Sequence, residues 1–450
     1  MKLFSKKMIC VLGIVMLGVS LSACGNKEQQ KQTPSQKESA ATKEKEESDE
    51  IIGTVVVYTD RLDMVNTKFA EYKTIFEKEN PGTEIVFKAF SDYETAVMEK
   101  LNEGDYGDVV LIPRKVSNDL LEQYFEPLGT LEELSETYYE KYLQEAQQNG
   151  VVYGLAQYAM PQGIAYNKKV FEKAGIVELP KTTEEFLIAL QQIKIYEPEV
   201  IPLYTGQRRP QGLAWWQEQV WGSVVGNPNY QYEQMLADKA PFSEGKPNYI
   251  VHKLLYDIVE KGLCEEEGDS LNWTTVQTML NNAEIGCIPV EWSEIAALQS
   301  AATNPDDIGY MPFPYNIDGV QYATTTMEYC YAINKNSENK ATARAWIEYM
   351  LKSSGYAKSE GAVSIRQKDT LPNLLVNFEN AELVVDNSIS EDSMQAYNQM
   401  QKLSGILQDD GADKKQIIEA ARQGETDFDV IMKEWNDRWK RALQGENSAE

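Results

Sequence analysis

An α/β fold divided into two lobes is what the sequence predicts, on three observations. Residues 53 to 113 alternate apolar strand-like runs with amphipathic helical ones. A second alternation of the same kind follows from about residue 163, with no internal sequence repeat between the two. The core-forming stretch, about Ile51 to Leu443, is nearly four hundred residues long, more than one hydrophobic core comfortably serves.

Taken in order, "GTVVVYTD" is a buried strand ending in polar residues. "MVNTKFAEYKTIFEKENPG" follows with helical spacing at Val65, Phe69, Tyr72, Ile75 and Phe76, and stops at Asn80-Pro81-Gly82. "TEIVFKAF" is a second strand, "YETAVMEKLNEG" a second helix and "DVVLIP" a third strand. Such alternation implies right-handed crossovers and a parallel sheet, whose ligands sit beyond the carboxyl ends of the strands. Those ends carry Tyr58, Asp60 and Arg61, then Ser91, Asp92 and Tyr93, then Arg114.

At "MPQGIAYNKKVFEKAG" a strand over Gly163 to Tyr166 should meet a short helix capped by Asn167 and stopped by Gly175. "PKTTEEFLIALQQIK" begins a helix with Thr182 and Glu185 as a capping box. "VIPLYTG" and "DIGYMPFP" read as strands, and "EYCYAINKNSENKATARAWIEYMLK" as a strand, a polar turn and a helix packing through Ala343, Trp346, Ile347 and Met350. Trp435 and Trp439, with Ile431, repeat every four residues on a terminal helix and read as packing.

The chain opens like a secretory signal: Lys2, Lys6 and Lys7, then an apolar run from Met8 to Leu21 too short to span a bilayer. "LSAC" at residues 21 to 24 resembles the bacterial lipoprotein box, which implies cleavage before Cys24 and a diacylglycerol on its thiol. Asn26 to Glu50 contains no aromatic residue and no Val, Ile, Leu or Phe, so it reads as a disordered tether. The formal charge is −27, and loss of the three leader lysines takes the mature chain to −30. That argues against nucleic acid and anionic lipid as natural ligands.

Of five cysteines only Cys264, Cys287 and Cys330 fall in the folded part, too few for a disulfide framework. The single histidine, His252, sits in a helical pattern, which argues against a triad hydrolase or a histidine-rich metal site. No G-x-S-x-G, P-loop or H-E-x-x-H motif occurs. No metal and no cofactor are expected. Carboxylates are too numerous for counting alone to exclude a glycosidase pair.

"FEKENPGTEI", "GDVVLIP", "IAYNKKVFEKAGIVELPKTTEEFL", "IGYMPFP" and "AINKNSENKATARAWIEYML", in that order behind a lipoprotein signal, resemble landmarks of the extracellular solute-binding proteins of ABC importers. The likeness is to the carbohydrate-binding group that includes maltose-binding protein. It implies a two-lobed periplasmic-binding-protein-like (type II) fold with a hinge and an interlobe ligand cleft. On that basis residues 1–23 are the signal peptide and 24–50 the acylated cysteine and tether. Residues 51–160 and 312–366 form one lobe, 161–311 and 367–443 the other, and 444–450 a disordered tail. The strand over Gly163 to Tyr166 becomes the first crossover, with returns expected near Ile308 to Pro314 and Ser364 to Asp369.

A sugar pocket needs flat aromatic platforms for C–H faces and fixed polar partners for hydroxyls. In "GLAWWQEQVW", Trp215, Trp216 and Trp221 cannot share one helix face at ~100° per residue, so at least one is expected outside the core. Core or surface-groove packing stays open for each. "IGCIPVEW" presents Glu291 and Trp292, and the resemblance makes Trp292 a sugar-stacking platform. Glu291 stands where the family commonly has a small residue, which suggests an extra hydroxyl acceptor or a partner for a cationic group.

Asp60 and Arg61 match the family's polar pair after the first strand, and Arg114 with Asp119 lie in a second ligand-contacting segment. Tyr158 precedes the first crossover, and Met327, Glu328 and Tyr329 precede a first-lobe strand facing the cleft, although Tyr329 could equally be core because Tyr331 shares its strand face. Arg208 and Arg209 follow the "PLYTG" strand and read as a lone solvated pair.

The resemblance implies binding without chemistry, so no enzyme. A lipid-anchored monomer on the extracellular face would capture a carbohydrate, an oligosaccharide by expectation, and deliver it to permease subunits driven by a cytoplasmic ATPase. The alternatives are a polyamine or peptide ligand, a receptor feeding a sensor, and, further off, a surface glycosidase.

Overall fold

The computed structural model describes residues 50–207, 210–266, 271–385, 389–408, 411–424 and 426–446. The signal, Cys24, nearly all of the tether, Arg208 and Arg209 lie outside them. The described chain is mixed α/β, with two main sheets and two principal apolar cores.

The first sheet has the strand order Thr83–Ala89, Gly53–Thr59, Val109–Leu111, Cys330–Ile333, Leu155–Ala156. Gly53–Thr59 pairs in parallel with both its neighbours, as the alternation predicts. Cys330–Ile333 then enters antiparallel from much later in the chain, Tyr331 facing Leu111. The helix expected over "MVNTKFAEYKTIFEKE" begins only at Lys68 and runs to Glu79. It buries Phe69, Tyr72 and Phe76, whereas Ile75 is 45% exposed. Residues at i, i+3 and i+7 face the sheet, and Ile75, roughly 100° round the helix from Phe76, turns to solvent. The helix Lys340–Lys352 packs alongside, its Trp346 meeting Phe76 edge-on at 5.2 Å.

The second sheet has the order Ile201–Leu203, Ile285–Val290, Gly163–Asn167, Ile308–Met311. Asn167 caps the short helix Lys168–Lys173 by accepting the N–H groups of Lys169 and Val170 at 3.0 and 3.2 Å. Its amide also donates to the Leu280 carbonyl at 2.8 Å, so the cap is anchored inside the lobe. Gly175, at φ +76, ends the helix. One expectation fails: Gly163–Asn167 does not restart a parallel winding, because it runs antiparallel to both neighbours. The parallel crossover of this sheet is instead the one from Ile201–Leu203 to Ile285–Val290.

A third, small sheet joins the two. Gln321–Met327 lies at its centre, parallel to Ala381–Val385 and antiparallel to Ala159–Pro161. Ile308–Met311, expected in the return crossover, belongs to the second sheet, and the hydrogen-bonded passage back is Gln321–Met327. Ser364 to Asp369 stays with the first lobe's surface: Tyr139 donates its N–H to the Ile365 carbonyl and Gln367 donates its own to Thr137. The link to the second sheet comes later, where the Asn377 amide donates to the Tyr310 carbonyl at 2.8 Å.

Cys264, Cys287 and Cys330 are free. Leu203 pairs with Cys264 on one side and Cys287 on the other, so the two thiols are separated by a strand, about 9.5 Å, beyond disulfide reach.

The helix Pro210–Val225 rests on the joining sheet at Gly222. A Cβ there would collide with Thr324 Oγ1 and fall 2.8 Å from Thr324 Cα, so only glycine allows this approach. Gly222→Ala should therefore lower stability by about 1–3 kcal/mol, seen as an earlier urea midpoint. An unchanged midpoint would show that the helix has room to move away from the sheet.

Candidate functional site

At the carboxyl ends of the first sheet's parallel strands, six of the expected residues converge. Asp60 and Arg61 leave Gly53–Thr59, Arg114 follows Val109–Leu111, Tyr158 precedes the joining-sheet strand Ala159–Pro161, and Glu328 and Tyr329 link Gln321–Met327 to Cys330–Ile333. Glu328 donates its N–H to the Tyr158 carbonyl at 3.0 Å, which binds those segments to each other.

Arg61 is the most heavily bonded of them. Its Nε and Nη2 fork onto Asp63 at 3.0 and 2.8 Å, and Nη1 donates to Glu360 at 2.7 Å and to the Tyr356 hydroxyl at 3.2 Å. Four of the five guanidinium hydrogens are thus committed, and the bond to Asp63 is the main cause of Arg61's raised pKa. The arginine fastens the end of the first strand to the Tyr356–Ser359 turn rather than offering itself to a ligand. Tyr158 meets Tyr356 edge-on at 5.4 Å, and burial drives its hydroxyl pKa upward.

Asp60 and Glu328 remain as partly buried carboxylates. Loss of hydration raises both pKa values, opposed at Asp60 by its own N–H and by Arg61, and at Glu328 by the Tyr329 N–H. The negative charge of Asp60 adds to the rise at Glu328. Exposed Arg114 faces Glu328 at 3.9 Å and lies 4.8 Å over the Tyr329 ring. That ring face is covered, and Tyr329 is held by donating its hydroxyl to Glu94 at 2.8 Å.

The aromatic candidates separate. Trp292, 6% exposed, opens the helix Trp292–Ala301 and packs edge-on to Tyr310 at 6.0 Å. It also rests against Gly361, next to Glu360, where a Cβ would come within 3.3 Å of the indole. This second-sheet tryptophan therefore borders the Arg61 and Glu360 group. Glu291 precedes it at the N-cap position, half-buried and making no capping bond.

Trp215 packs against Trp273 at 5.6 Å, and Trp273 donates its Nε1–H to Glu294 on the same helix as Trp292. Trp216 is placed elsewhere: it lies in the second core against Phe313, its Nε1–H donating to the Val251 carbonyl at 3.3 Å. Trp221 is half-buried beside that core, its indole N–H enclosed without a partner.

Sequence reasoning missed Glu94, Tyr356 and Glu360. Glu94 stands one position beyond the strand-end group Ser91 to Tyr93, which is the available signal. Tyr356 and Glu360 offer none, since their partner Arg61 lies almost three hundred residues away. A cavity of about 80 Å³ behind Arg114, Glu145, Glu328 and Tyr329 has room for water rather than a sugar ring. A larger one, about 500 Å³, lies apart from this group, between Tyr139, Lys141 and Tyr142 on one side and Ser364 and Leu383 on the other. Among the described residues no group of three or more His, Cys, Asp or Glu side chains is placed to hold a metal ion, and no helix is long and apolar enough to cross a membrane.

The family model for bacterial extracellular solute-binding proteins matches residues 63–357. The chain belongs to this family. The solute-binding protein resembles BlMnBP1, a binding protein of an ABC transporter from Bifidobacterium animalis subsp. lactis, in complex with mannobiose. The TM-score is 0.64 and the identity 31%, over 88% of this chain and 96% of that one. It shares its fold with RafE from Streptococcus pneumoniae, with TM-score 0.63 and 18% identity over 83% and 98% of the two chains. A curated binding protein of Brucella abortus is 22% identical over 341 residues, 72% of this chain and 78% of that protein. The fold is accordingly the two-lobed α/β architecture of the maltose-binding type, and the protein is a solute-binding component of an ABC transporter and not an enzyme.

The raised carboxylates give a pH prediction. A group whose folded pKa lies above its unfolded value stabilises the fold below the unfolded pKa, and that contribution is lost as pH rises through the folded pKa. At neutral pH, ionised Asp60 and Glu328 therefore cost stability. Asp60→Asn and Glu328→Gln should each melt above the wild type at neutral pH, with the gain shrinking as the pH falls toward about 4. Melting at or below the wild type at neutral pH would contradict the burial penalty.

Proposed function

We propose that this solute-binding protein captures an oligosaccharide in the cleft between its lobes and delivers it to an ABC permease, the mature monomer held on the extracellular face of the membrane by a lipid on Cys24. One observation carries the ligand class: partly buried Asp60 and Glu328, with Arg114 facing Glu328, stand at the first sheet's strand ends, and Trp292, following a second-sheet strand, packs against Gly361 beside Glu360, which Arg61 holds. Carboxylates accept hydrogen bonds from hydroxyls, and an indole covers the C–H face of a pyranose. BlMnBP1, bound to mannobiose, makes manno-oligosaccharides the first glycans to test.

Asp60, Arg114, Glu328 and Trp292 are the contacts proposed with most direct support. Tyr158, Arg61 and Tyr329 act on the same wall through the groups they hold, and Trp215, Trp221 and Glu291 extend the second wall. Trp216 is better read as packing. Because the ligand touches both lobes, its affinity for the closed arrangement exceeds that for the open one, and binding shifts the population toward closure. The permease, with its ATPase, would recognise that closed form.

The surplus of carboxylates, Asp60, Glu94, Glu328 and Glu360, favours a second reading, a ligand carrying an amino group. Titration calorimetry of the soluble chain with manno-oligosaccharides, other neutral glycans, amino sugars and polyamines separates the two. The expected result is saturable binding of a neutral oligosaccharide, recovered uncleaved, and roughly tenfold or greater weakening in Asp60→Asn from loss of a charge-assisted hydrogen bond. Binding confined to amines would replace the neutral sugar by a cation, and cleavage of the glycan would overturn the reading.

A further inference from the structure

Glu94, at the start of the helix Tyr93–Glu103, has two carboxylate oxygens in different circumstances. Oε1 is saturated: it accepts the Tyr329 hydroxyl at 2.8 Å and the Arg114 backbone N–H at 3.0 Å. Through them Glu94 fixes two neighbours, since the Arg114 guanidinium lies on the Tyr329 ring and faces Glu328. Oε2 is enclosed and has no hydrogen-bond partner.

A carboxylate has about four acceptor sites, and leaving a whole oxygen buried and unpaired is unfavourable unless something supplies a donor. The surroundings narrow the donor. Asp60 lies close enough for its charge, like that of Glu94, to act on Tyr93 and Tyr329, and Glu328 stands beyond Arg114. The three carboxylates are thus gathered around Tyr93, Tyr329 and Arg114. A hydroxyl is a neutral donor that also accepts, and a polyol carries several at spacings that can meet neighbouring oxygens together.

We infer that Glu94 is a ligand-binding residue of this site, Oε2 accepting a hydroxyl of the bound carbohydrate while Oε1 keeps Tyr329 and the Arg114 segment in place. This rests on the oligosaccharide reading. It gives Glu94 a double role: it binds one part of the ligand and positions the wall that binds the rest.

The test compares wild type, Glu94→Gln, Tyr329→Phe and Asp60→Asn by calorimetry with the manno-oligosaccharide series, alongside thermal melting. The amide keeps an oxygen for Tyr329 and Arg114 but removes the charged acceptor. Glu94→Gln is expected to melt no lower than the wild type and to bind about tenfold or more weakly, a larger loss than in Tyr329→Phe. Wild-type affinity in Glu94→Gln, with binding lost in Asp60→Asn, overturns the inference and leaves the oligosaccharide reading intact. A wild type that binds no glycan overturns both. Should Glu94→Gln fail to fold, a crystal structure of the wild type with its glycan decides: a sugar oxygen within hydrogen-bonding distance of Oε2 supports the role, and a water or no atom there contradicts it.

Discussion

Everything in the molecule depends on one short ladder of backbone hydrogen bonds, the one in which Gln321–Met327 pairs with Ala159–Pro161 on one edge and Ala381–Val385 on the other. The backbone must satisfy its N–H and C=O groups wherever it leaves water, and pairing the connections with each other does so without fusing the two large sheets. The larger apolar core runs past this ladder, from Val57 of the first sheet to Ile288 and Tyr310 of the second, while the second sheet's other face packs a core of its own around Tyr166 and Cys287. The contact of Gly222 with Thr324 seats the second lobe's tryptophan-bearing helix directly on that ladder.

The proposed ligand wall follows from the same arrangement. Parallel strands of the first sheet all end on one side, so residues distant in sequence arrive there together. Arg61 is committed to Asp63 and Glu360, while burial removes part of the hydration of Asp60 and Glu328. Carboxylates that have lost part of their hydration gain from hydroxyl donors placed beside them. A polyhydroxylated ligand would relieve that imbalance.

Much of this is legible in the sequence where the signal is local. Alternating patterns mark the first sheet, and Asn167 and Gly175 mark the short helix because capping depends on neighbours in the chain. Strand direction is not legible at Gly163, since an antiparallel strand and a parallel one have the same alternation and differ only in partners. Helix geometry announces that Trp215, Trp216 and Trp221 diverge, yet cannot say which faces the core. The pattern around Trp292 suggests an open platform, whereas contacts with Tyr310 and Gly361 leave little of it exposed. Glu94 is signalled only by its place beside the strand-end group Ser91 to Tyr93, and Glu360 not at all, because their partners lie 235 and 299 positions away.

A ligand that acts by drawing two lobes together across this hinge must change the dimensions of the molecule, and small-angle X-ray scattering tests that most directly. With a saturating glycan that calorimetry shows to bind, the radius of gyration should fall and the distance distribution lose its longest vectors relative to the ligand-free protein. Saturated binding with an unchanged scattering profile would contradict closure as the means by which binding is signalled.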